Sequence, residues 1–434
     1  MNRRFLALPL IFALASITFA HDHKHDRRDR KEKVLYVWSS DQAHIAPDFL
    51  AVIDFDENSR NYGSVITTVP LPPPGNIGNE PHHCHLSEDE RILACGGLLS
   101  VLKGQNGIFF FDVTAARHPR FLFSTKALNS SITDDFHPLP EGGFLITQMG
   151  SATGEAPGRV AEFDGRLHFV ANHFGKVSLF KELPFDPPLD GFNPHGIDVR
   201  ADLNLMLTAD FILPSSTLIG SPEPVLRNTI RVWDYRARKI TNTIHVLTPD
   251  NTPALGVMDV KFLPHDPNGI AYTAGMFDGF IYMLDPSNAI ATPAFDCTTV
   301  TPHVDTVVRG GMGQIMAVPD SGDRLIFSLF EAGQVGMLDT TDRANLKQIP
   351  GGIVSFGKDA GPHNIVLSED DSRLVIADYF LNEDAAGIIH FEGDHKVRVV
   401  RVTHNRLTEE RRFKLDFNTA FPTGPARPHG IAMK

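Results

Sequence analysis

A chain of 434 residues with 42% hydrophobic and 21% charged side chains has the composition of a folded globular protein and is longer than one small core requires. A formal net charge of −12 argues against nucleic acid and against an anionic membrane surface as partners. The compositional excess is in histidine, with 20 residues.

The N-terminus reads as a secretory signal peptide over residues 1–20. Arg3 and Arg4 form a basic start, Leu6 to Phe19 is apolar, and Thr18-Phe-Ala20 supplies a small-residue cleavage site. The apolar stretch is too short for a comfortable membrane span, and no later segment qualifies. The expected product is therefore secreted and extracellular. Cleavage would expose a charged, His-rich and disordered tail over 21–33, beginning His21-Asp-His23-Lys-His25. A free amine with His at the third position can chelate Cu(II) or Ni(II).

From residue 34 the chain changes grammar. Val, Ile, Phe and Thr runs alternate with Gly, Pro, Asp and Asn, the pattern of β-strands and turns. Val34 to Trp38, Phe49 to Asp54 and Ser64 to Thr68 read as three strands. Seven similar windows follow, opening at Glu80, Thr133, Asn193, Val257, Met312, Gly361 and Arg427. Each complete window is a strand, a polar turn and a second strand, as in GPHNIVLSEDDSRLVIAD from Gly361. The windows recur every 49 to 66 residues, room for four strands and their loops. That period predicts an all-β, seven-bladed β-propeller as a single domain over 34–434. The last window stops after one strand, and the three N-terminal strands complete its blade. Ring closure in this way leaves no exposed sheet edge.

In such a ring the third window position faces the axis at one mouth. Those residues are His82, Asp135, His195, Asp259, Gln314, His363 and His429. Four imidazoles converging on one point suit a transition metal, Cu or Fe among them, and not a hard cation. His82, His195, His363 and His429 are thus the candidate metal ligands, with His83, His85 and His137 close enough in sequence to substitute. Asp135 and Asp259 are candidates for orienting the ligands. Asp210 and Asp378, each fifteen residues after a window histidine, should return to the same mouth. Cys84 and Cys95 flank a turn, so they could form a cross-strand disulfide or be two small buried hydrophobes. Asn129-Ser-Ser131 is a glycosylation sequon. No nucleophile elbow, P-loop or dinucleotide fingerprint is present.

The chain resembles the selenium-binding protein family, which includes copper-dependent methanethiol oxidases. The resemblance runs through Ala46 to Asp54, Pro81-His-His83, Leu205 to Asp210, Arg231-Val-Trp-Asp234, Val260 to Pro264 and Gly361 to Ser368. It implies a propeller, copper held by histidines, and oxidation of a small thiol with O2. A four-His propeller centre is also similar in architecture to the Fe(II) carotenoid cleavage oxygenases. The functional expectation is an O2-using, metal-dependent oxidoreductase with a small-molecule substrate. The alternatives are a non-catalytic metal- or partner-binding propeller, or a metal-assisted hydrolase or lactonase.

Overall fold

Each window carries the innermost strand of an antiparallel blade, four-stranded in six blades and with a short fifth strand in the sixth, and seven blades close into a propeller. The computed structural model describes residues 31–174, 191–217, 224–301, 313–383 and 389–434. The expected signal peptide and nearly all of the expected tail lie outside these residues. The innermost strands are Pro81–Leu86, Ser130–Pro138, Pro194–Arg200, Val257–Phe262, Gly313–Ala317, Pro362–Leu367 and Ala426–Met433. The last pairs with Val34–Asp41, so the C-terminal strand and three N-terminal strands share one blade, as the sequence predicts. The sixth blade carries a second hairpin, Phe380–Glu383 with Ile389–Glu392, between its second and third strands.

Burial follows position in the blade. Val34–Asp41, a second strand, is buried at all 8 positions because neighbouring blades cover both its faces. Hence it reads as a near-continuous hydrophobic run. The outermost strand Arg120–Thr125 is half exposed and mixes charged with apolar residues.

Every innermost strand has a β-bulge at the same place. The pairing Pro81 with Gly97 is followed by Cys84 with Cys95, so one extra residue is accommodated. The same shift occurs after Thr133, Pro194, Val257, Gly313 and Pro362, and at Pro428 in the closing blade. A bulge breaks the strict alternation of side chains and re-aims one toward the axis.

Side chains tie several inner strands to the neighbouring blade. Thr147 Oγ1 donates to the His195 carbonyl at 2.5 Å, Ser328 Oγ to that of His363 at 3.1 Å, and Asn364 Nδ2 to that of His429 at 3.1 Å. Trp38 Nε1 closes the seam by donating to the Gly96 carbonyl at 2.7 Å. At that seam Gly430 lies so close that a Cβ would strike the His82 carbonyl oxygen, Cys84 Sγ and the Cys84 backbone nitrogen. The glycine of this Pro-His-Gly is therefore a packing requirement. Cys84 and Cys95 are bonded as a disulfide, the first of the two readings left open by the sequence, and Cys297 is a buried free thiol.

Gly430→Ala should cost about 1–3 kcal/mol by overpacking against backbone that cannot yield. Gly313→Ala, where the nearest atoms to a Cβ are 3.7 Å away, should cost far less. Denaturant unfolding of the two variants compares them, and equal stabilities would contradict the tight seam.

Candidate metal centre

The seven bulges define the ring position as the residue after each bulge's first paired residue. It is occupied by His82, Asp134, His195, Met258, Gln314, His363 and His429. In two blades this is one residue earlier than the sequence windows suggest: Asp134 instead of Asp135, and Met258 instead of Asp259. The Gln314 side chain lies outside the described atoms.

The four predicted histidines come together, and His83 joins them. All five are at most 7% exposed. His82 lies with its ring centroid 4.3 Å from those of His83 and His429, and 5.8 Å from that of His195. His363 is 5.0 Å from His429 and 6.0 Å from His83. Asp134, fully buried, faces three of the rings. Its Oδ1 is 3.1 Å from His82 Nε2 and 3.2 Å from His83 Nδ1, and its Oδ2 is 3.3 Å from His195 Nε2. None of these approaches has the direction of a hydrogen bond. Both ring nitrogens of His82 and of His429, His83 Nε2, His195 Nδ1 and both Asp134 oxygens have no hydrogen-bond partner. Buried polar atoms left this way are rare and costly, and a group of them this close together fits a bound cation. Donor atoms of His82, His83 and His429, and of His82, Asp134 and His195, lie within 4.8 Å of one another.

Burial pushes His195 down to about 3 and holds His82, His363 and His429 below the usual imidazole range, so these rings are neutral. Burial would also lower His83, but Asp134 outweighs it and raises its affinity for a proton. Burial opposes charge on Asp134 too, yet His195, His82 and His83 hold it well below the usual carboxylate range. Neutral imidazoles and an ionised carboxylate are the protonation states that bind metals.

The surroundings are mostly apolar. Phe211 packs 5.3 Å from His195, Phe380 4.9 Å from His363 and Tyr379 5.3 Å from His429. Phe211 and Phe380 belong to one cluster with Leu99, Ile132, Met149, Met258, Met276 and Phe330.

The other carboxylates singled out in the sequence are used within the scaffold. Asp135 accepts the Ile197 N–H at 3.3 Å, and Asp259 accepts the Met316 N–H at 2.9 Å, each across a blade boundary. Asp210 takes the Asn193 N–H, the Thr229 hydroxyl and Arg231, and Asp378 pairs with Arg398. His85 is exposed, and His137 packs 6.2 Å from Tyr235, so neither belongs to the described cluster.

The 56 kDa selenium-binding protein family matches residues 19–284 as a sequence profile, and the chain belongs to that family. It is 25% identical over 247 residues to selenium-binding protein 2 of Mus musculus, covering 51% of this chain and 47% of that protein. It is 26% identical over 242 residues to a methanethiol oxidase of Danio rerio, covering 51% and 48%. The matched region thus spans about half the length of these curated relatives. A hypothetical selenium-binding protein from Sulfolobus tokodaii superposes with a TM-score of 0.73 at 16% identity, over 95% of this chain and 96% of that one. A putative 6-phosphogluconolactonase from Bacteroides fragilis shares the fold at TM-score 0.56 and 10% identity, over 93% and 98%.

In chelator-treated protein, NMR of the imidazoles should show His83 titrating above its ordinary range and His195 well below it. The His83–Asp134 pair contributes stability at pH below the unfolded His value and loses it as pH rises through the raised one. Asp134→Asn should lower the His83 titration point; an unchanged titration would mean that another group sustains the proton.

Proposed function

We propose that this chain is an O2-using, metal-dependent oxidoreductase that holds Cu or Fe with His82, His195, His363 and His429, with His83 and Asp134 within reach. The observation that carries this reading is the set of buried imidazole nitrogens and carboxylate oxygens that converge without hydrogen-bond partners. Membership in a family with relatives named methanethiol oxidase supports a small thiol as the substrate class. The metal, when bound, supplies one-electron chemistry with O2 that amino-acid side chains lack.

The chain's own residues prepare the site. Bulged strand starts hold the rings in fixed directions, which lowers the cost of assembling ligands. Asp134 places one buried carboxylate beside His82, His83 and His195, so its charge is available to a cation held among them. Phe211 and Phe380 press on the histidines and keep water from their inner faces. The apolar cluster of Phe, Leu and Met beside the histidines supports a small uncharged substrate over a sugar phosphate or a polyhydroxylated lactone.

We also infer an extracytoplasmic location. The basic and apolar leader and the Cys84–Cys95 disulfide both support it, because disulfides persist in oxidising compartments. Among the described residues no helix is long and apolar enough to cross a membrane.

Purified protein should carry near-stoichiometric Cu or Fe by elemental analysis, and His82→Ala should lose it, since His82 belongs to both metal-competent groups. Asp134→Asn, which removes the buried carboxylate charge beside three of the rings, should weaken metal binding by about 10–100-fold. Oxygen uptake with methanethiol should follow metal content across these variants. Full metal retention in His82→Ala would sink the site, and metal binding without any O2 uptake would favour a binding protein.

A further inference from the structure

Tyr379 stands out among the groups that the proposed reaction leaves unused. It is 1% exposed and meets His429 edge to face at 5.3 Å. Its phenol donates a hydrogen bond to Glu80 Oε1, itself 1% exposed. Glu80 Oε2 is 3.1 Å from Arg427 Nη2 and 3.4 Å from His44 Nε2. The His44 side chain is 28% exposed, so polar contacts run from the Tyr379 hydroxyl through Glu80 to solvent, while the Tyr379 ring packs against His429. The guanidinium of Arg427 also stacks 4.0 Å over Phe391, which fixes the group against the second hairpin of the sixth blade.

The chain has 6 tyrosines. Tyr36 and Tyr272 donate to the backbone carbonyls of Ala116 and Arg343, and Tyr282 donates to Asp278. Among the described contacts, Tyr379 alone combines a histidine of the cluster on its ring with a carboxylate on its hydroxyl. A phenol is hard to oxidise unless its proton has somewhere to go, because the cationic radical is a far stronger acid than the phenol. Here the acceptor is already hydrogen-bonded and the electron acceptor would sit behind the adjoining imidazole.

We propose that Tyr379 is a one-electron relay between the histidine cluster and the mouth face, with Glu80 as its proton acceptor; this rests on the oxidoreductase reading above. The O–H bond of Tyr379 breaks, its proton passes to Glu80 Oε1, and one electron would leave the ring for a Cu(II) or Fe(III) ion held by His429, giving Cu(I) or Fe(II). Tyr379 is thereby oxidised to the neutral radical and the ion is reduced by one electron. A small one-electron reductant at the mouth face returns the electron, and Glu80 returns the proton.

The test uses full-length protein loaded with copper, its metal content measured first, then mixed with hydrogen peroxide and freeze-quenched for EPR. Wild type should give an organic radical signal that narrows when the tyrosine rings are deuterated. Tyr379→Phe should lose that signal with its copper content unchanged, and Tyr272→Phe should keep it. Glu80→Gln, which leaves the phenol and removes the proton acceptor, should also lose it and decides the matter if Tyr379→Phe does not fold. A signal that survives Tyr379→Phe, or a copper-loaded wild type that gives none, overturns the relay and leaves the metal site standing. A wild type that binds no copper or iron overturns the metal site itself and the relay with it.

Discussion

The structure depends on one repeated backbone constraint: a β-bulge at the start of the innermost strand in all seven blades. A regular strand would send alternate residues to opposite faces of the blade. The bulge breaks that alternation once per blade at the axis. In the first blade it lets two successive residues, His82 and His83, reach the same carboxylate. Ring closure then turns seven separate local distortions into one site. The cross-blade bonds to the backbone of His195, His363 and His429 hold the distorted segments at fixed separations.

Holding five imidazoles and a carboxylate in a water-poor site is expensive. Unpartnered buried polar atoms cost folding free energy, and a partly satisfied network is worse than an apolar core. The surrounding scaffold is correspondingly rigid. The disulfide between Cys84 and Cys95 locks the first hairpin of one blade, and buried ion pairs such as Arg373 with Glu32 and Arg427 with Glu80 join segments far apart in sequence. Strain and unmet polar groups in an otherwise consistent fold are expected where function resides.

Much of this was legible in the chain. Pro-His at 81, 194, 362 and 428 marked four inner strands, and the polar turns marked the hairpins that follow. The unfinished last window correctly implied that the N-terminal strands complete the blade. Counting from a window start assumes a uniform register and places the ring position of the second and fourth blades one residue late. Thr133 and Val257, not a proline, open those bulges, so no local signal distinguished Asp134 from Asp135 or Met258 from Asp259. Asp210 and Asp378 pair in register with Pro194 and Pro362, beside the ring histidines, but their arginine partners, Arg231 and Arg398, come from the third strand of the same blade and carry no motif. His83 was visible as a neighbour of His82, but only the bulge explains why both face inward. Tyr379 and Glu80 meet across 299 residues of sequence, a distance at which one chain offers no pattern to read.

The central claim is that the convergent histidines, and not the His-rich N-terminal segment, hold the metal. Anomalous diffraction from crystals of metal-loaded protein, collected on both sides of the copper and iron absorption edges, tests this directly. The account predicts one dominant anomalous peak enclosed by His82, His195, His363, His429 and the Asp134 carboxylate. A protein that carries stoichiometric metal but shows no peak among these residues would contradict it.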